Sequence, residues 1–155
     1  MEKEIESALE EGADGIVIGC LTPEGEVDEA AMERLVRTAK NRNARVSITF
    51  HRAFDRCPNP AAALERILLL GCDRILTSGG KPTAEEGIRE LRALQELADG
   101  RIILLPGGGV TPRNAAKILS ATGCQEIHAS ASCSIAGKKV TSSETVAEIL
   151  QQIYG

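Results

Sequence analysis

Aromatic side chains are nearly absent from this chain: its 155 residues hold no tryptophan, one tyrosine and two phenylalanines. A platform for stacking nucleobases is therefore missing. The basic residues form no stripe, and the net charge of −4 does not attract a phosphate backbone. Nucleic acid is not an expected partner. Long apolar runs are also lacking. Ile67-Leu68-Leu69-Leu70 is far shorter than the ~20 residues that span a bilayer. The charged segment Met1–Glu6 has no signal-peptide core. The expectation is a cytoplasmic protein that does not enter a membrane. No two cysteines are spaced as C-x-x-C, and their number, five, is odd, which argues against a disulfide framework.

What remains is aliphatic. Hydrophobic residues make up 43 % of the chain, enough for one domain over residues 1–155 with a core of Ile, Leu, Val and Ala. A weak repeat organises it. Gly12-Ala13-Asp14-Gly15-Ile16, Gly71-Cys72-Asp73-Arg74-Ile75 and Gly123-Cys124-Gln125-Glu126-Ile127 each place a helix-stopping glycine ahead of a strand. The patterns predict helices over about 2–11, 28–42, 59–70, 84–98, 112–122 and 142–153. They predict strands over about 15–20, 46–51, 74–78, 101–106 and 126–130. Asp28 and Thr83 are candidate caps, and Pro60 and Pro112 suit the first helical position. About five strands alternating with six helices mean a parallel α/β fold. It is either an open doubly wound sheet or part of a TIM-type βα barrel, which usually takes about 250 residues. Polar alternation in 46–51 and 126–130 favours the barrel interior, and length favours the open sheet.

Chemistry gathers at the predicted carboxyl ends of strands, where such folds bind ligands. Val46-Ser47-Ile48-Thr49-Phe50-His51-Arg52-Ala53-Phe54-Asp55 reads as a strand ending in His51, Arg52 and Asp55. His51 suits an acid/base or a metal ligand, Arg52 an anion clamp, and Asp55 an orienting partner or turn cap. Thr77, Ser78 and Lys81 follow the next strand, beside Gly79 and Gly80. Gly107, Gly108 and Gly109 then precede a predicted helix and can expose N–H groups to an anion. Glu126, His128 and Ser130 share one face of the last predicted strand, opposite Ile127 and Ala129. Cys72 and Cys124 read as small core residues, whereas Cys20, Cys57 and Cys133 lie near strand ends or the loops beyond them.

These motifs, with Gly25-Glu26-Val27-Asp28, Asp73–Gly79 and Pro106–Gly109, occur in the order and at about the spacing of the copper homeostasis protein CutC family. The resemblance covers residues 1 to about 134. It implies a βα barrel, a cytoplasmic location, a homo-oligomer and an association with copper as Cu(I), an ion suited by thiolate, thioether or imidazole ligands. It further implies that His51, Arg52, Asp55, Thr77, Ser78, His128 and Ser130 line a pocket at the barrel mouth. The chain departs from the family by starting at the helix before what resembles the fourth strand. A five-stranded partial barrel has raw edges that association with another copy would cover.

Two functions follow as expectations. The first is Cu(I) binding or handling, with Cys20, Cys57, Cys133, His51 and His128 as candidate ligands. The second is an enzyme acting on a small phosphate- or carboxylate-bearing metabolite. There His51 or His128 is the acid/base, Asp55 is its partner, Arg52 and Lys81 clamp the anion, and the 107–109 loop binds it. An inactive barrel fragment is the third alternative.

Overall fold

The computed structural model describes residues 1–135 and 138–155. The chain runs α1 (Glu2–Glu10), β1 (Gly15–Ile18), α2 (Glu29–Arg42), β2 (Ser47–Phe50), a 3-10 helix (Arg52–Arg56), α3 (Pro60–Leu69) and β3 (Arg74–Thr77). It continues through α4 (Ile88–Ala98), β4 (Ile103–Pro106), α5 (Ala115–Thr122), β5 (Ser132–Ile135), β6 (Lys138–Thr141) and α6 (Ser143–Tyr154). Strands β1 to β4 form one parallel sheet in sequence order. The expected α/β architecture of parallel βα units is present, and the barrel is not closed.

Alternation along the strands sets the two faces. Ile16, Ile18, Ile48, Phe50, Ile75 and Leu104 are buried in the main core cluster, with Leu35, Ala39, Leu64, Ile67, Leu94 and Ala98 from the helices. The opposite face carries Ser47, Thr49, Arg74 and Leu105 at intervening positions. Val17 on that face is 61 % exposed, and no element among the described residues covers it. Asp28, Asn59 and Ser142 cap α2, α3 and α6 by accepting from the N–H groups of Ala31, Ala62 and Thr145.

The structure corrects three sequence expectations. Segment 126–130 is not a strand. It makes a single parallel bridge just beyond β4, His128 to Gly107, with the His128 N–H donating to the Pro106 carbonyl at 2.9 Å. Pro106 has no N–H to return, so the ladder stops there. The chain instead forms a second, antiparallel pair, β5 with β6. Next, regular helix begins at Ile88 and not at 84. Thr83 still closes the turn with its side chain, the Glu86 N–H donating to Thr83 Oγ1 at 3.2 Å and the Thr83 hydroxyl donating to the Glu86 carboxylate at 2.8 Å. That turn is tied across to the glycine loop, since the Ala84 N–H donates to the Gly108 carbonyl at 2.9 Å. Finally, α5 begins at Ala115 and not at Pro112. The Asn114 side chain closes the intervening turn by accepting from the Thr111 N–H at 2.8 Å and donating to the Gly109 carbonyl at 3.0 Å.

Candidate ligand site at the strand ends

Asp55 organises the site. It lies in the 3-10 helix beyond β2, yet its partners come from the end of β3. It accepts from Thr77 Oγ1 at 2.6 Å, from the Ser78 N–H at 3.0 Å and from the Gly80 N–H at 3.1 Å. The Ser78 hydroxyl stands 2.9 Å away, and Arg52 Nε donates at 2.7 Å. Burial pushes this carboxyl up. Donation from Thr77, Arg52, Gly80 and Ser78 outweighs burial and holds it below the usual aspartate value. Thr77 and Ser78, expected to touch ligand, are fully buried against Asp55.

This network fixes Arg52. Its Nη2 donates to Ser78 Oγ at 2.7 Å and to the Lys81 carbonyl at 3.3 Å. Its Nη1 lies over the glycine loop, 2.7 Å from where a Cβ on Gly108 would stand. Only a residue without a side chain lets the guanidinium approach there. Gly109 is exposed, while Gly107 is buried beside His128. Lys81 is exposed and pairs with Glu90 at 3.5 Å.

His51 caps the 3-10 helix, its Nδ1 accepting from the Ala53 N–H at 3.1 Å. Sequence reasoning missed its neighbour Gly19, where a Cβ would stand 2.6 Å from both Nδ1 and Cε1. The available signal was a glycine at the end of a predicted strand adjoining the histidine strand. His128 and Ser130 are exposed, and Ser130 Oγ lies 3.3 Å from Ser132 Oγ. A second missed feature lies lower on the same face. Arg74 forms a two-pronged pair with Glu126 at 2.7 and 2.9 Å and also donates to Ser47 at 2.7 Å. That pairing holds the Glu126 carboxyl below its usual range and anchors a segment that the β ladder does not.

The cysteines are dispersed. Cys72 and Cys124 are buried, as expected of core residues, and burial with the nearby Asp73 pushes the Cys72 thiol up to about 12. Cys57 is also buried, at the end of the 3-10 helix, while Cys20 and Cys133 are half-buried. Burial raises the thiol values of Cys20 and Cys57, with Asp28 adding at the first and Asp55 and Glu26 at the second. Such thiols are held protonated, and soft-metal binding requires the thiolate. Among the described residues no three His, Cys, Asp or Glu side chains are grouped to hold a metal ion. They do not form a ready-made copper centre.

A parallel βα sheet with charged groups and glycines at its carboxyl edge defines a protein of the βα-barrel class, here with the barrel open. Comparison narrows the class: the chain belongs to the CutC family, whose model matches residues 1–133. It is 52 % identical over 146 residues to a CutC family protein of Bacteroides thetaiotaomicron, covering 94 % of this chain and 57 % of the relative. A Bacteroides fragilis CutC family protein is 52 % identical, over 87 % of this chain and 52 % of its own length. The chain thus spans about half the length of these curated relatives. A crystal structure from Streptococcus agalactiae, named for copper homeostasis and CutC, is 33 % identical. It superposes with a TM-score of 0.76 over 82 % of this chain and 60 % of that one. A structure named for KDPGal, 18 % identical with a TM-score of 0.68 over 98 % of this chain and 64 % of that one, shares the fold alone. No helix among the described residues is long and apolar enough to cross a membrane.

Proposed function

We propose that this chain supplies the mouth of a CutC-type barrel and that the mouth holds a small anion bearing a phosphate or carboxylate. The observation that carries this reading is the fixed guanidinium of Arg52, anchored by Asp55 and Ser78 with Nη1 over bare Gly108. Arg52, Lys81 and the Gly107–Gly109 backbone hold the anion. Thr77, Ser78 and Asp55 hold Arg52, and His51, His128 and Ser130 supply polar groups around it. Inorganic phosphate near 100 times its dissociation constant is expected to stabilise the chain by about 2.7 kcal/mol. The melting temperature of the Arg52→Ala variant should not respond. Equal phosphate shifts in both proteins, in thermal scans at matched ionic strength, would reject the reading.

The copper homeostasis name of the Streptococcus relative favours a second reading, in which Cu(I) is cargo handled in the cytoplasm. Cys20 is its leading ligand, since it follows Gly19, the residue against the His51 ring. Cys57, Cys133, His51 and His128 are the remaining candidates. An anaerobic competition titration of the reduced protein against a chromophoric Cu(I) chelator is expected to show whole-number binding, weakened at least tenfold in the Cys20→Ser variant. The absence of competition would remove this reading.

Self-association belongs to the proposal as well. The outer edge of β1 has no strand partner among the described residues, and Val17 stands exposed beside it. Sedimentation at micromolar concentration is expected to show a dimer or larger species, and a strict monomer would refute it.

A further inference from the structure

The imidazole of His51 is constrained on one edge. The Ala53 N–H donates to Nδ1 at 3.1 Å, so Nδ1 carries a lone pair and no proton. A neutral imidazole then carries its hydrogen on Nε2. The ring also rests against the bare Cα of Gly19, since a Cβ there would stand 2.6 Å from both Nδ1 and Cε1. The Phe50 ring meets the imidazole edge to face, with centroids 5.9 Å apart. Among the described residues Nε2 has no hydrogen-bond partner, which leaves it as an N–H donor for a ligand.

That tautomer separates the roles open to this residue. A metal ion or a substrate proton at Nε2 needs a lone pair there, hence a proton on Nδ1, where the Ala53 N–H already points. Donation to an oxygen needs no rearrangement. The next residue in the chain, Arg52, offers the second donor, since its Nε and Nη2 are engaged and Nη1 is over Gly108.

We infer that His51 is a fixed hydrogen-bond donor through Nε2–H. With Arg52 it selects a small oxyanion that presents separate acceptor oxygens to the two side chains. This deepens the anion reading above and rests on it. On this assignment His51 is removed from the copper-ligand candidates named above, and the others remain.

The test has a spectroscopic arm and a binding arm. Long-range proton–nitrogen correlation of the native chain at neutral pH should show His51 as the Nε2–H tautomer, with the other histidine signal removed by His128→Gln. In the binding arm the probe is inorganic phosphate. His51→Asn keeps an oxygen that can accept from the Ala53 N–H but has no donor at the Nε2 position. His51→Gln keeps that donor and gives up the cap. Loss of one hydrogen bond to a charged group corresponds to roughly a 10- to 100-fold weakening. His51→Asn should weaken phosphate binding by that factor, and His51→Gln should stay within about threefold of the native chain. An Nδ1–H tautomer, or native phosphate affinity in His51→Asn, overturns the inference. If Arg52→Ala loses phosphate while His51→Asn keeps it, only the role of His51 fails. If Arg52→Ala also keeps it, the anion reading itself has failed.

Discussion

Replacing Asp55 with alanine is expected to destabilise the protein by about 3–5 kcal/mol. The carboxylate is a nearly buried acceptor, 10 % exposed, for donors from Thr77, Ser78, Gly80 and Arg52. Alanine leaves the two fully buried residues Thr77 and Ser78 without that acceptor and releases the guanidinium it orients. For a domain of this size the loss corresponds to a melting temperature lower by roughly 6–20 °C. Urea unfolding checks the figure, and a change under about 1 kcal/mol would show that the network does not hold this end of the sheet. The pH dependence gives an independent sign. The Asp55 carboxyl is below its ordinary value of 3.8 in the folded chain, so near that pH the unfolded chain binds more protons. Its stabilising contribution is complete above the unfolded value and is lost as the pH falls through the lower, folded one. Asp55→Asn cannot titrate, so its unfolding free energy should fall less than that of the native chain between pH 7 and pH 3. Parallel curves would assign the acid limb to other carboxylates.

Phe50→Ala is expected to cost a similar amount, about 3–5 kcal/mol, from lost burial and the cavity left behind. The ring is 0 % exposed and lies in the main core cluster. The chain has only two phenylalanines and no tryptophan, so its aliphatic neighbours offer little bulk to refill the space. Phe50→Leu retains most of the volume and should cost about 1 kcal/mol. Denaturant midpoints of the two variants test this ordering, and equal midpoints would mean that the site collapses around either side chain. Phe50 also lies edge to face with the His51 ring, so the alanine variant should shift the His51 resonance.

Much of the fold was readable locally. Strand alternation in Ser47–Phe50 separates Ile48 and Phe50 from Ser47 and Thr49, and the structure buries the first pair in the core. Glycines 12, 71 and 123 all adopt the positive φ expected at the helix ends. Segment 126–130 misled because alternation reports which way side chains point. Ile127 and Ala129 do pack against the smaller core cluster. Whether a ladder forms depends on the neighbour, and Pro106 cannot donate. The pair β5–β6 was overlooked, although two short runs separated by Ala136-Gly137 offered a hairpin signal. Those two residues are outside the described structure. Thr77 and Ser78 were legible as strand-end residues by position, but their burial and their hydrogen bonds to Asp55 were not.

The sequence by itself determined an aliphatic α/β core, the parallel arrangement of its βα units and the concentration of His51, Arg52, Asp55 and the glycine loop at strand ends. These follow from period, propensity and turn chemistry, which act between near neighbours in the chain. Only the tertiary structure decided which groups those side chains meet. Asp55 reaches Thr77 and Ser78 across 22 and 23 residues, and Arg74 reaches Glu126 across 52. The direction of Arg52 Nη1, the acceptor role of His51 Nδ1 and the early end of the ladder at Pro106 all depend on hydrogen bonding and steric fit between distant segments. Those constraints exist only once the sheet has brought the segments together.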